Sequence, residues 1–271
     1  MSDFLIIMTA PFAACFFLTG VHAWLGLHVL ARGVIFVDLA LAQLAALGAT
    51  VGFMVGFPFH TTGNWLISLS FALWGAALFA FSRTREPRVP QEAIIGIVYA
   101  VAGAGAILVL SHLPEGGEEL KALLVGHLLF TSWHEVGSLA LLYTAIGVVH
   151  TLFRRQLLLI SEDPEAAFAR GMRVQLWDLL FYSTFAVVVT SSVELAGVLL
   201  VFSFLVVPAT CARLMTARPG LGLTWGISLV STILGLLLSW TLDLPTGAAV
   251  VCIFGLTTAM CAAWSARRVA A

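Results

Sequence analysis

The sequence carries very little charge for its length. Only 10% of its 271 residues are Asp, Glu, Lys or Arg, whereas 61% are hydrophobic, and the mean hydropathy is +1.04. A soluble domain of this size cannot bury so much apolar surface, so the composition indicates an integral membrane protein. The apolar runs do not alternate with polar residues as barrel strands do, and we therefore expect an all-α helical bundle.

Cysteine is also scarce, and no cleavable secretion signal is expected. The four cysteines lie inside apolar runs without C-x-x-C spacing, at Cys15, Cys211, Cys252 and Cys261. This pattern suggests neither a disulfide framework nor a zinc site and predicts buried packing thiols. The first thirty residues have no basic start, so we expect this run to remain as a membrane span.

Several motifs that would give the chain its own chemistry are absent. No G-x-x-x-x-G-K-[ST] sequence occurs, nor H-E-x-x-H, nor G-x-S-x-G. The chain is therefore expected to be neither an enzyme nor a P-loop nucleotide-binding protein, and any ATP energy must come from a partner. We expect no cofactor in this chain, and the net charge of -1 gives no sign of a nucleic-acid partner.

The apolar runs predict nine membrane-spanning helices in one transmembrane domain that covers residues 1–271. About 20 apolar residues are needed to cross a bilayer, and the charged breaks leave that room at residues 4–30, 34–57, 63–82, 92–112, 134–153, 176–192, 194–213, 222–241 and 246–266. The count of nine requires a tight turn at residues 191–194. A bend in one helix there would leave eight spans.

The arginines predict an orientation in the inner membrane. With the N-terminus outside, every basic residue except Lys121 falls in an inner loop or at an inner end. This agrees with the positive-inside rule and predicts an N-out, C-in protein.

A long charged interruption separates the fifth and sixth predicted spans, at residues 154–175. Within it, Asp163 is suited to accept hydrogen bonds at a helix start and Pro164 to the first helical position, while Gly171 provides a left-handed stop. The pattern predicts a short rigid helix from Pro164 to Arg170, with Arg170 in its last turn. The alternative is a solvated loop with a single interfacial turn.

The predicted outer loops differ from the inner ones in carrying histidine and glutamate. Residues 120–130 are apolar but too short to cross, which favours an interfacial or partly re-entrant helix. Five outer residues could collect a cation or could be ordinary wet loop residues: His60, His112, His127, His134 and Glu135.

Four segments together resemble a known family. They are Glu92-Ala-Ile-Ile-Gly-Ile, the stretch 159–172 (LISEDPEAAFARGM), the stretch 197–214 (GVLLVFSFLVVPATCARL) and the turn 242–248 (LDLPTGA). These segments resemble the zinc, manganese and iron branch of the ABC importer permeases, which transport a metal or a metal chelate and have the type II importer fold. The resemblance covers nearly the whole chain.

The resemblance implies a homodimer with a translocation path along its axis. It also implies an ATP-binding subunit in the cytoplasm, carrying ATP and Mg²⁺, and a periplasmic or extracellular substrate-binding protein. The capped helix matches the position at which such permeases contact their ATPase, and the residues assigned to this coupling are Asp163, Pro164, Glu165, Ala166, Ala167, Phe168, Ala169, Arg170 and Gly171. Ala167 and Phe168 are expected to form its apolar contact face. The competing classes are an ATP-independent secondary transporter or channel and a structural or assembly protein.

Two polar residues inside the second span are candidates for the substrate path, because polar groups in lipid are costly. In the resembled family this span carries an Asp and a His four residues apart that bind a divalent cation. Aligned on Gly48, this chain has Leu39 and Gln43 there, with Asp38 displaced by one position. We therefore expect Gln43 to line the substrate path and Asp38 to be a secondary contact near the inner end of that path. Alternatively, Asp38 is a helix-start carboxylate paired with Arg32.

The remaining polar residues within the spans have simpler interpretations. Asp178 is expected to be a helix-start acid. His22 and His28 do not share a helix face well and are expected to pack in the bundle or lie at the lipid interface.

Overall fold

The computed structural model describes residues 2–84, 89–112 and 125–270, and the side chains of residues 7–84, 89–112 and 125–268. Within these ranges the chain is helical and contains no strand, which confirms the expected all-α class.

Eleven α-helices are described, and they are numbered in chain order. Their bounds are α1 Ser2–Arg32, α2 Val37–Met54, α3 Thr62–Ser82, α4 Gln91–Leu110, α5 Trp133–Leu152, α6 Arg154–Glu162, α7 Pro164–Ala169, α8 Val174–Ala196, α9 Val198–Met215, α10 Leu221–Leu242 and α11 Thr246–Ala270. A short 3₁₀ turn, Leu128–Phe130, precedes α5.

Nine of the helices in the described part of the chain are long and apolar enough to cross a membrane. They are α1 to α5 and α8 to α11. The protein is a multi-pass membrane protein, and the expected number of spans is confirmed. The N-out, C-in orientation stays a prediction.

The predicted turn at residues 191–194 is wrong, because α8 continues through it to Ala196. Ser191 and Ser192 donate their hydroxyls to the carbonyls of Val187 and Val188, four residues earlier, at 2.9 and 2.6 Å. Serine can satisfy its hydroxyl within a helix in this way, so it did not end the span. The break comes at Gly197, which has a φ of 76°.

The chain divides into two compact units, which we describe separately. The first unit comprises Met1–Leu30, Val125–Ala145 and Leu195–Ala271, and the second comprises Ala31–Leu124 and Ile146–Glu194. The single transmembrane domain over residues 1–271 stays a prediction.

In the second unit, α2 packs closely on α3. A Cβ at Gly48 would lie 2.9 Å from the Cα of Ser68, so only glycine permits this approach. The Ser68 hydroxyl donates to the carbonyl of Ala45 at 2.7 Å, and the Asn64 amide donates to the carbonyl of Ala49 at 2.8 Å. Small residues and interhelical hydrogen bonds are the usual means of helix association in lipid.

The first unit uses the same means between α9, α10 and α11. A Cβ at Gly235 would lie 2.6 Å from the Cα of Val250, and the hydroxyls of Ser231 and Thr257 are 3.0 Å apart. In α1, a Cβ at Gly26 would meet the carbonyl oxygen of Leu205. Close backbone contact therefore fixes this unit.

The cysteines are all free, but only two match the expectation. Cys15 and Cys211 are buried, Cys261 is partly buried and Cys252 is exposed on its helix. The prediction of buried thiols is therefore wrong for Cys252, because a thiol behaves as a small apolar group and does not by itself determine which face of an apolar helix it occupies.

Some expectations concern residues outside the described ranges. These are Arg85, Arg88 and Lys121, which contribute to the predicted orientation, the outer-loop residues Glu115, Glu118 and Glu119, and residues 120–124 of the interfacial helix. The rest of that segment contains the 3₁₀ turn rather than a continuous helix.

Candidate functional site

Helix α7 lies within the interrupting segment and has the predicted caps. Asp163 is its N-cap and accepts a hydrogen bond from the Ala166 amide at 2.9 Å, and Pro164 occupies the first turn. At the other end, the amide of Gly171 donates to the carbonyl of Phe168, and the amide of Met172 donates to that of Ala167. These paired bonds around a left-handed glycine, with a φ of 71°, form a Schellman motif.

The structure corrects two details of this segment. Helix α7 ends at Ala169, so Arg170 is its C-cap rather than a residue of its last turn. A second helix, α6, fills Arg154–Glu162, which was expected only as part of the charged interruption. The sequence carried a signal for α6, because the apolar residues Leu157 and Ile160 are three residues apart and so share a helix face. Both are buried in the structure.

Three fully or almost fully buried side chains hold α6, α7 and the start of α8 together: Ile160, Ala167 and Val174. Phe168 and Trp177 pack against them. Ala167 therefore faces its own chain, and the expectation that it forms the contact face for a partner is wrong. A helix of two turns needs this internal contact, because its own hydrogen bonds are too few to hold it in place.

The exposed face of α7 and its flanks is charged and has two ends of opposite sign. Glu162, Asp163 and Glu165 are exposed around the start of the helix, whereas Arg170 and Arg173 are exposed just beyond its end. This sign pattern complements the helix dipole. The assignment of residues 163–171 to contact with an ATPase stays a prediction.

On α2, Asp38 lies in the first turn and is only 2% exposed. Its Oδ1 is buried and has no hydrogen-bond partner among the described residues. Nearby, the Glu92 carboxylate accepts a hydrogen bond from the amide of Phe36, the N-cap of α2, at 3.1 Å. Asp38 thus lies at a helix start, but its expected pairing with Arg32 is wrong, because Arg32 binds Asp178.

Gln43 lies on α2 five residues further, which is about 7.5 Å along the helix axis. Its side chain is partly buried and lies against α4, where a Cβ at Gly103 would be 3.2 Å from the Gln43 Oε1. The structure therefore places a carboxylate and an amide oxygen at separate levels of α2. Their assignment to the substrate path stays a prediction.

Sequence reasoning missed a buried network of three charged residues, in which Arg32 and Arg83 both bind Asp178. Arg32 Nη1 donates to Asp178 Oδ1 at 2.6 Å, and Arg83 Nη1 donates to Asp178 Oδ2 at 3.1 Å. Arg32 Nε also donates to the Ser161 hydroxyl at 2.8 Å, and Arg83 Nη2 donates to the carbonyl of Ile160 at 3.2 Å.

Asp178 is therefore not a helix-start acid, since it is the fifth residue of α8 and its side chain is fully buried. The available signal was its position, because the predicted topology places this acid within an apolar span on the same side as the arginines.

The outer histidines form pairs. In the second unit, His60 Nδ1 lies 3.4 Å from Glu194 Oε1. In the first unit, His127 Nε2 lies 3.4 Å from Glu135 Oε1. Across the residues that the structure describes, no group of three or more His, Cys, Asp or Glu side chains could hold a metal ion.

His22 and His28, in contrast, are buried in the bundle, with 0% and 2% of their surface exposed, so the packed alternative holds for both.

The comparisons with known proteins identify the family. The sequence matches the ABC 3 transport family over residues 5–264. The chain belongs to this family. Members of an ABC transport family work in a complex with an ATPase, and the predicted transport class is confirmed at this level.

Two curated relatives of the ABC 3 chain are named as manganese transport proteins. The MntB membrane protein of the manganese transport system of Synechocystis is 29% identical over 196 residues, which cover 69% of this chain and 63% of that protein. The corresponding MntC protein of Halalkalibacterium halodurans is 25% identical over 233 residues, which cover 84% and 77% of the two chains.

A solved structure shows the same fold. PsaBC from Streptococcus pneumoniae in complex with Fab superposes with a TM-score of 0.78 and 19% identity, covering 96% of this chain and 94% of that one. The expected importer-permease fold is therefore confirmed, and no finding favours an ATP-independent transporter or channel.

Proposed function

We propose that this chain is the membrane-spanning permease subunit of an ATP-driven importer for a divalent metal ion, with Mn²⁺ as the first candidate and a metal chelate as the second. The supporting observation is the family match over residues 5–264 together with relatives named for manganese transport. The chain itself hydrolyses no ATP in this proposal, and ATP and Mg²⁺ are bound by the partner subunit.

In this proposal, two copies of the chain form the path across the inner membrane, and a substrate-binding protein delivers the ion from outside. A cytoplasmic ATPase contacts the charged face of α7. The geometry supports this contact, because caps at both ends and the buried Ile160, Ala167 and Val174 cluster make α7 a rigid element that can transmit a push.

The candidate path residues favour a hard cation. Asp38 supplies carboxylate oxygen and Gln43 supplies amide oxygen, and both suit Mn²⁺, whereas Zn²⁺ is held better by imidazole and thiolate. Two oxygen donors at separate levels of α2 make a weak site, which suits passage rather than tight capture. Selectivity would then be determined mainly by the substrate-binding protein.

Uptake of Mn²⁺ and Zn²⁺ into proteoliposomes that contain the permease, its ATPase and the binding protein tests this function. We expect Mn²⁺ uptake that requires hydrolysable ATP. Gln43→Leu and Asp38→Asn should each lower uptake about 10-fold, the equivalent of one contact of about 1.4 kcal/mol. Ser70→Ala is the control, because the Ser70 hydroxyl binds only its own helix, at the carbonyl of Ile67.

Two results would count against the proposal in different ways. Uptake without ATP would reject the ATP-driven importer. Parental uptake by both path variants would leave the importer intact and place the path away from Asp38 and Gln43.

A further inference from the structure

The buried network of Arg32, Asp178 and Arg83 lies in the second unit and connects the ends of α1 and α3 with α6 and the start of α8. Arg32 ends α1, Arg83 directly follows α3, and Asp178 lies near the start of α8. Both arginines also bind α6, one through the Ser161 hydroxyl and the other through the carbonyl of Ile160. The network is therefore a connection point between membrane spans and the segment that leads into α7.

Stability alone is a poor explanation for this network. Two positive charges share one carboxylate, and the side chains of Arg32 and Asp178 are 0% exposed, with Arg83 at 12%. Well-packed apolar side chains commonly serve stability as well as a buried ion pair does. An arginine fork instead fixes the direction of each bond, so the network defines one geometry for the groups that it joins.

The network is continuous with the packing of α7. Ile160 accepts the Arg83 bond through its carbonyl, and its side chain belongs to the buried cluster with Ala167 of α7 and Val174 of α8. A displacement of α7 must therefore move the Ile160 backbone or break this packing. On α8, the Phe181 ring packs against the Arg32 guanidinium group, with its centroid 3.9 Å from the guanidinium carbon.

We propose that Arg32, Asp178 and Arg83 are positioning residues that form a rigid joint, through which a displacement of α7 by a bound ATPase reaches the ends of α1 and α3 and the start of α8. This rests on the proposed function of the chain as an ABC permease. The joint touches neither the ion nor ATP. Its failure should therefore separate ATP hydrolysis from transport rather than abolish either partner's binding.

The test measures the number of Mn²⁺ ions imported per ATP hydrolysed by the complete complex in proteoliposomes. Arg83→Gln and Arg83→Lys are the informative variants, because this partly exposed arginine can be removed while the Arg32–Asp178 pair remains. Lysine keeps the charge but cannot bind the Asp178 carboxylate and the Ile160 carbonyl as a fork. Arg213→Gln removes one exposed arginine from the end of α9 and serves as the matched control.

We expect both Arg83 variants to assemble with the ATPase and hydrolyse ATP while ions imported per ATP fall roughly 5-fold or more, the lower range of typical coupling effects. Arg213→Gln should keep the parental ratio. A parental ratio in both Arg83 variants would overturn the joint. A parental ratio in Arg83→Lys alone would also overturn it, since charge without the fork would then suffice.

A second variant covers the case in which the Arg83 variants do not assemble. Ser161→Ala removes the Arg32 contact to α6 with little change in volume, and we expect it to lower the same ratio. An unchanged ratio in Ser161→Ala would then reject the joint. If the parental complex shows no ATP-dependent uptake, the proposed function itself fails, and this result is seen before any variant is compared.

Discussion

Helix α7 is held by residues close to it in the chain, whereas the adjacent charge network joins residues that are distant in sequence. The Asp163 cap bond spans three residues, but the Arg32–Asp178 bond spans 146. The cap is also exposed, so water can replace a lost bond, while the Arg32 and Asp178 side chains are fully buried. The helix α7 and the adjacent charge network should therefore differ greatly in their tolerance of a single substitution.

The largest loss of thermal stability is expected for Asp178→Asn. The change leaves two arginines without their carboxylate, and breaking a buried ion pair typically costs about 3–5 kcal/mol. We expect a large loss of the fraction that remains monodisperse in detergent after heating, measured by size-exclusion chromatography. Glu165→Gln, which neutralises an exposed acid on α7, should behave like the parent. If Asp178→Asn and Glu165→Gln resisted heating equally well, the charge network and α7 would not differ in their tolerance of substitution.

An intermediate loss of stability is expected when alanine replaces either of two glycines that share a backbone conformation but differ in their surroundings. Gly126 and Gly171 have φ values of 69° and 71°. A Cβ at Gly126 would lie 2.3 Å from the backbone carbon of Ala196, whereas nothing lies within 4 Å at Gly171. Gly171→Ala should cost about 1–2 kcal/mol from the left-handed conformation alone.

Gly126→Ala should cost clearly more, because the backbone must also move. Thermal unfolding of the two purified variants measures the difference. A Gly171→Ala variant as unstable as Gly126→Ala would contradict the open surroundings of Gly171.

The smallest effect is expected for Asp163→Ala, which removes one N-cap bond and should cost about 1 kcal/mol. Hydrogen exchange at the Ala166 amide should quicken, since that amide loses its acceptor. Asp163→Ser is the matched control, because serine also caps a helix start. If the Ala166 amide exchanges at the parental rate in the alanine variant, the cap does not hold this turn.

Much of the fold could be read from composition and local pattern. The apolar runs predicted nine spans because a membrane helix satisfies its own backbone and needs only length and hydrophobicity. The caps of α7 could be read from Asp163, Pro164 and Gly171 because their bonds reach only a few residues. The turn near residue 192 was misplaced, since two serines satisfied their hydroxyls inside the helix and the break moved to Gly197.

The tertiary structure alone decided which charges meet and which faces are hidden. Asp178 was predicted to be a helix-start acid, but the fold places it beside Arg32 and Arg83. Ala167 was predicted to contact a partner, but in the folded chain it is buried with Ile160 and Val174. Spacing along one helix fixes caps and faces within a few residues, but pairing across 95 or 146 positions depends on how separate helices pack, and local sequence carries no information about that.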